Sequence, residues 1–223
     1  MNLYLSIRIR DKRFGGGAVQ KSEEIGKLKK DIAQMNSARF QTDWKKNYFK
    51  AVDVTLDPDT AHPNLMLTEE RSVTWRKESQ DLPDNPQRFS SLPCVLGQQA
   101  ITSGRCYWEV EVGNIKAWDL GICRDNVIRK GKIVVTPQNG FWAIRFHNNE
   151  FWALSSPETA IMRKSKPDRI CIFLEYEDRR ISFYNMANNS HIYTFDQCSF
   201  YGSLRPFFRL WPNESKNLTI CQI

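Results

Sequence analysis

Residues 107 to 112 read YWEVEV and residues 118 to 123 read WDLGIC, and the two runs share one alternation. Trp108, Val110 and Val112 alternate with Tyr107, Glu109 and Glu111; after a loop at 113 to 116, Trp118, Leu120 and Ile122 alternate with Asp119 and Gly121. Successive side chains of a strand point to opposite faces, so each run predicts a strand with its apolar set inward, and with Glu109 and Glu111 outward in water. Further strand-like runs follow at 140–146, 151–154, 170–176, 181–185, 191–195 and 218–221, separated by turn residues rather than helical stretches. Many short strands without intervening helices predict an all-β chain folded as an antiparallel β-sandwich.

A chain of 223 residues, 41% of them hydrophobic, is long enough to close one sizeable core. Its formal net charge of +7 is not spread over that core. Residues 1–50 hold 12 Lys and Arg against 5 Asp and Glu, whereas residues 51–223 hold 20 against 20. A globular nucleic-acid reader carries its basic stripe on the folded domain, so no nucleic acid is expected as a partner. A basic leading segment suits either an anionic membrane surface or a solvated, partly helical tail. Residues 1–20 read as a basic, flexible start containing Gly15, Gly16 and Gly17; residues 21–50 read as an amphipathic helix, since Ile25, Leu28, Ile32 and Met35 recur at helical spacing. Two heptads are too few for a free-standing coiled coil, so this helix is expected to pack on a partner copy or on the domain that follows.

Chemistry-bearing patterns are sparse. The six cysteines contain no CxxC pair, and Cys94, Cys123, Cys171 and Cys221 stand among aliphatic residues, which predicts buried thiols rather than disulfides or zinc ligands. The three histidines, His62, His147 and His191, fall in separate contexts, with no nucleophile elbow or phosphate-cradling glycine loop beside them. Catalysis, a bound metal and a cofactor are therefore not expected. No apolar run reaches 18 residues and the start has no secretory cleavage pattern, so the domain is expected to face the cytosol.

Six segments taken together carry a resemblance: LDPDTAHP (56–63), WEVEV (108–112), WDLGIC (118–123), NGFWAI (139–144), LEYEDRRISFYN (174–185) and LRPFF (204–208). In this order and spacing they resemble the B30.2, or PRY-SPRY, domain, and WKKNYFKAVDVTLDPDTAHP, DLPDNPQRF and SLRPFFRLW resemble its butyrophilin form. The resemblance implies a bent β-sandwich with a PRY part at 52–105 and a SPRY part at 106–223, preceded by a juxtamembrane-like helix. It implies a recognition module that binds an intracellular protein partner in T-cell regulation, at the cytoplasmic face of the plasma membrane in full-length relatives. Those relatives carry immunoglobulin domains and a transmembrane helix that this sequence lacks, which predicts a fragment or a short isoform. Two alternatives follow from the same family: a sensor of small anionic phosphoantigens, and the substrate-recognition arm of a tripartite-motif ubiquitin ligase. With no RING, B-box or long coiled coil in this sequence, the last lacks its catalytic half.

Candidate binding residues lie in the loops at 83–89, 114–116, 124–132, 147–150, 177–180 and 211–216, or beside them. Arg124, Arg145, Arg179, Arg180 and Arg209 are singled out because guanidinium forks bind carboxylate or phosphate through parallel hydrogen bonds. Trp211 joins them as an aromatic beside a proline-containing loop. Three departures from the family pattern matter, the first being Cys106 in place of a common histidine. Arg179 and Arg180 replace a Gly-Asp hairpin tip, so a position with φ > 0 would be strained and another turn is expected. Asp119 stands where phosphoantigen-sensing relatives have a histidine, and its negative charge would oppose a pyrophosphate.

Overall fold

The structure, a computed structural model, describes residues 24–30, 46–162 and 166–222. Residues 24–30 are helical and exposed, with Ile25 and Leu28 open to solvent at 52% and 55%. The expected basic start at 1–20 and the rest of the expected helical stripe, Ile32 and Met35, lie outside the described residues.

Among the described residues, fourteen strands build two sheets: β1 (Lys50–Ala51), β2 (Leu65–Thr68), β3 (Ser72–Trp75), β4 (Cys94–Leu96), β5 (Arg105–Glu111), β6 (Trp118–Arg124), β7 (Phe141–His147), β8 (Glu150–Ala153), β9 (Thr159–Ile161), β10 (Arg169–Glu175), β11 (Arg180–Asn185), β12 (Ser190–Phe195), β13 (Leu204–Leu210) and β14 (Leu218–Ile220). One sheet runs β12-β11-β10-β5-β14-β3-β2; the other runs β4-β13-β6-β7-β8-β9. All pairings are antiparallel except that of β1, which lies parallel to β5 through Lys50↔Cys106 and Ala51↔Tyr107.

The alternation read from the sequence decides what lies between the sheets. Cys106, Trp108 and Val110 of β5 face Trp118, Leu120 and Ile122 of β6 across the main core. Burying each of these large side chains contributes about 1.5–3 kcal/mol. Gly121 is set by close approach, because a Cβ there would lie 2.0 Å from the Trp142 carbonyl oxygen on neighbouring β7.

Both sheets are also covered on their outer faces. Over the second sheet, loop residues Phe89, Val127, Val135 and Leu154 cover Cys94, Cys123, Phe141 and Phe207. Over the first, Phe49 packs edge-on to Phe173 at 5.0 Å, above Tyr107, Cys171 and Tyr184. All six cysteines are free thiols, and five of them are buried. Burial pushes Cys106, Cys123 and Cys198 up to about 12.

The cover over the first sheet corrects the expectation for Glu109. Glu111 is exposed, but Glu109 is only 6% exposed, because the turn at 46–48 swings over it and Lys46 caps its carboxylate. Arg169 Nη1 approaches the same carboxylate at 3.5 Å. Burial by itself would lower the Lys46 ammonium, but the hydrogen bond and charge of Glu109 hold it above its ordinary value. On the backbone side, Val52 N–H donates to Tyr107 O at 2.9 Å and Cys221 N–H donates to Glu109 O at 3.0 Å.

Strand β13 is central, yet it contains Pro206, which has no N–H to give its neighbour. Gly97 N–H donates to Pro206 O at 2.9 Å, and the opposed Gly97 O accepts instead from Arg205 Nε at 2.7 Å. A side chain thus supplies the donor that the proline lacks. The hairpin between β10 and β11 also differs from expectation: the φ > 0 turn is kept without glycine. Arg179 adopts φ 52°, and its N–H closes the turn on Tyr176 O at 3.1 Å.

Candidate functional site

Asp119 is on the outer face of β6, the central member of the run β13-β6-β7, and its direct cross-strand neighbours are Arg209 on β13 and Arg145 on β7. Directly opposed side chains on one face of a sheet touch, and here opposite charges meet. Arg145 Nε and Nη2 donate to Asp119 Oδ1 and Oδ2 at 2.9 and 3.1 Å, forming a two-toothed fork. From the other side, Arg209 Nη1 donates to Oδ2 at 3.0 Å. Trp211, one residue beyond β13, donates its Nε1–H to Oδ1 at 3.2 Å.

The carboxylate is fully buried by these four donors. Both guanidiniums then stack under the indole of Trp211, at 4.6 Å for Arg209 and 5.3 Å for Arg145. Arg145 also reaches Glu158 Oε1 at 3.3 Å. Burial would lower the Arg145 guanidinium, but Asp119 and Glu158 raise it above its ordinary value. Two arginines and two carboxylates leave the cluster without net charge.

Four of the residues singled out in the sequence, Asp119, Arg145, Arg209 and Trp211, therefore meet in one place. Arg145 holds Asp119 through both teeth of its fork and Arg209 holds it through Nη1, and Asp119 is the anchor of the cluster. Arg180 is paired with Asp196, its Nη2 3.2 Å from Oδ2, and Arg179 forms the hairpin tip. Arg124 is held apart from the cluster by Ser199 and Tyr201.

Two residues that the sequence reading did not single out complete the surface. His147, at the end of β7, stacks on Trp211 with ring centroids 4.3 Å apart and planes 16° from parallel. Glu214 is buried at 6% exposure, and its carboxylate accepts Lys116 N–H at 2.6 Å and Lys216 N–H at 3.2 Å, tying the 113–117 loop to the 211–217 loop. A groove of about 510 Å³ opens between them, lined by Lys116, His147, Asn149, Trp211, Asn213 and Glu214. Its chemistry is that of a mixed aromatic and polar contact surface on a rigid base. Among the described residues no three His, Cys, Asp or Glu side chains come together as a metal site. No helix among them is long and apolar enough to cross a membrane.

Comparison with known proteins agrees with this architecture. Residues 105–222 match the SPRY domain and residues 54–101 match the SPRY-associated domain, PRY. The chain is 52% identical over 181 residues to butyrophilin subfamily 1 member A1 of Bos taurus, an alignment that covers 81% of this chain and 34% of that protein. It is also 52% identical over 159 residues to the E3 ubiquitin-protein ligase TRIM58 of Mus musculus, covering 70% of this chain and 33% of the relative. The chain thus spans about a third of the length of the curated relatives it matches. Among solved structures, the TRIM65 PSpry domain superposes with a TM-score of 0.68 at 22% identity, covering 78% of this chain and 92% of that one, which shows a shared fold. Matched over more than half its length, with PRY ahead of SPRY and butyrophilins at about 50% identity, this chain belongs to the SPRY domain family, in its PRY-SPRY (B30.2) form.

Proposed function

We propose that this chain is a non-catalytic recognition module, which binds an intracellular protein partner through the surface formed by His147, Trp211, Asn213 and the 113–117 loop. The observation that carries this reading is the burial of Asp119 under Arg145, Arg209 and Trp211. It neutralises the cations and locks the indole, giving a preorganised aromatic surface in place of a basic pocket. Rigid aromatic anchors on a neutral, partly polar base are what protein interfaces select. Similarity to butyrophilins supports a place at the cytoplasmic side of a membrane, in T-cell regulation; similarity to a ubiquitin ligase supports the same recognition role in a different assembly. The basic first fifty residues suit an anionic leaflet beside the domain and self-association of the 21–50 segment.

A photo-crosslinking residue at Asn213 is expected to give a discrete protein adduct in cytosol, lost in Trp211→Ala and absent when the crosslinker is at exposed Glu78. Calorimetry with inorganic pyrophosphate is expected to show no heat of binding. Micromolar pyrophosphate affinity abolished by Arg145→Ala would replace this reading with that of a metabolite sensor.

A further inference from the structure

Of the two strand arginines singled out in the sequence that lie outside the Asp119 cluster, Arg180 is spent on Asp196, and the surroundings of Arg124 differ from those of all the others. Arg145, Arg180 and Arg209 each meet a carboxylate; Arg124 meets none among the described residues. Its contacts are neutral. Nη2 donates to Ser199 O at 2.8 Å and Ser199 Oγ at 2.9 Å, Nη1 donates to Tyr201 Oη at 3.2 Å, and the guanidinium stacks on the Tyr201 ring at 4.0 Å and on Trp142 at 5.2 Å. A cation fixed in place by neutral groups keeps its full charge.

This charge borders a groove of about 290 Å³ between the β6–β7 loop and Tyr201. The loop is firmly held. Val127 and Val135 are sunk into the second core, and Arg129, 5% exposed, donates to Gln87 O at 3.0 Å and to Asp125 O at 2.5 Å. Yet the same loop turns Ile128 and Val134 outward at 71% and 48% exposure, beside Tyr201 at 55%. Aliphatic side chains held out on a pinned loop mark a contact surface more than a folding requirement. Lys132 is exposed on the same rim and, like Arg124, has no carboxylate partner among the described residues. Among the described residues no Asp or Glu lines the groove.

We propose that this groove is a second docking site, distinct from the Trp211 surface, for a peptide segment that places an aliphatic side chain between Ile128 and Val134 and a carboxylate against Arg124 and Lys132. The volume falls below the roughly 300–1,000 Å³ of small-molecule pockets and suits one or two side chains of an extended peptide. Charge complementarity selects an acidic segment, since Arg124 and Lys132 line the groove without a carboxylate partner among the described residues.

The test is selection of a displayed random twelve-residue peptide library on the full chain. Sequences are kept if they still bind Trp211→Ala but fail to bind an Ile128→Ser/Lys132→Glu double variant. Both altered side chains are exposed, so the double variant is expected to melt with the parent; Arg124→Lys, which keeps the charge and removes the planar guanidinium, provides an independent readout by anisotropy titration. The expected result is an enriched pattern of Leu, Ile or Phe next to Asp or Glu, weakened about tenfold or more by the double variant and about threefold by Arg124→Lys. The proposal is overturned if no sequence survives both filters, if the survivors lack an acidic residue, or if Arg124→Lys binds them unchanged. Loss of the Trp211-dependent adduct bears only on the first surface, and loss of these peptides only on the second.

Discussion

The Lys46 ammonium rests on the Glu109 carboxylate, which it shields from solvent on the outer face of β5. Removing one partner of such a pair leaves the other desolvated and unpaired, which costs more than the pair itself contributes. Lys46→Ala is expected to lower unfolding stability by about 1–2 kcal/mol, moderated by Arg169 nearby. Lys46→Ala combined with Glu109→Gln is expected to recover part of that loss. Urea unfolding of the two single variants and the double variant measures the coupling, and additive losses would rule out a shared ion pair.

At the Asp119 cluster the effect is larger, because three donating side chains surround one fully buried carboxylate. Asp119→Asn is expected to cost about 3 kcal/mol and to free the Arg145 and Arg209 forks. The variant is then expected to gain weak pyrophosphate binding that the parent lacks, seen as a ligand-dependent rise in melting temperature for the variant alone.

Two glycines separate steric need from conformational need. Gly121→Ala drives a methyl group to 2.0 Å from Trp142 O and is expected to abolish soluble folding or cost about 3 kcal/mol. Gly131→Ala meets open space but adopts φ +70°, so its cost is confined to backbone strain of about 1 kcal/mol. Thermal melts of the two variants rank them; equal losses would contradict the assignment.

His62 supplies a pH dependence. Burial lowers its pKa from the ordinary 6.5, only partly opposed by a Ser90 backbone hydrogen bond, and its Nδ1 accepts Asn64 N–H at 3.1 Å. Protonation would convert that acceptor into a donor. Because the folded value lies below the unfolded one, the unfolded chain binds the proton first; stability is at its full level above about pH 6.5 and falls as pH drops toward the folded value. Denaturation midpoints between pH 7.5 and 5 are expected to fall less steeply in His62→Gln than in the parent.

The strands written as strict alternation, β5 and β6 above all, were legible because their outer positions carry Glu109, Asp119 or Gly121 between the apolar residues, even though cover buries both faces. Alternation failed where both faces are apolar: Cys94, Val95 and Leu96 are all buried and show no period. Strand β13 was hidden by Pro206, whose missing N–H is compensated only by a long-range contact from Arg205 to Gly97. The error over Glu109 has the same origin, since the cover comes from Lys46, 63 residues earlier. Asp119, Arg145, Arg209 and Trp211 could each be named from the sequence, but their meeting depends on the strand order β13-β6-β7, which no local pattern encodes.

Both ends of the folded unit converge on Glu109: Lys46 reaches its carboxylate, while Cys221 donates its N–H to the carbonyl of the same residue. Strand β10 fills one edge of β5, and β1 and β14 share the other, about three residues or roughly 10 Å apart along it. Such a unit behaves like a bead strung through a single hole. A circular permutant that joins residues 222 and 46 through a short linker is expected to keep both sheets, because the two segments already lie along the same edge of β5.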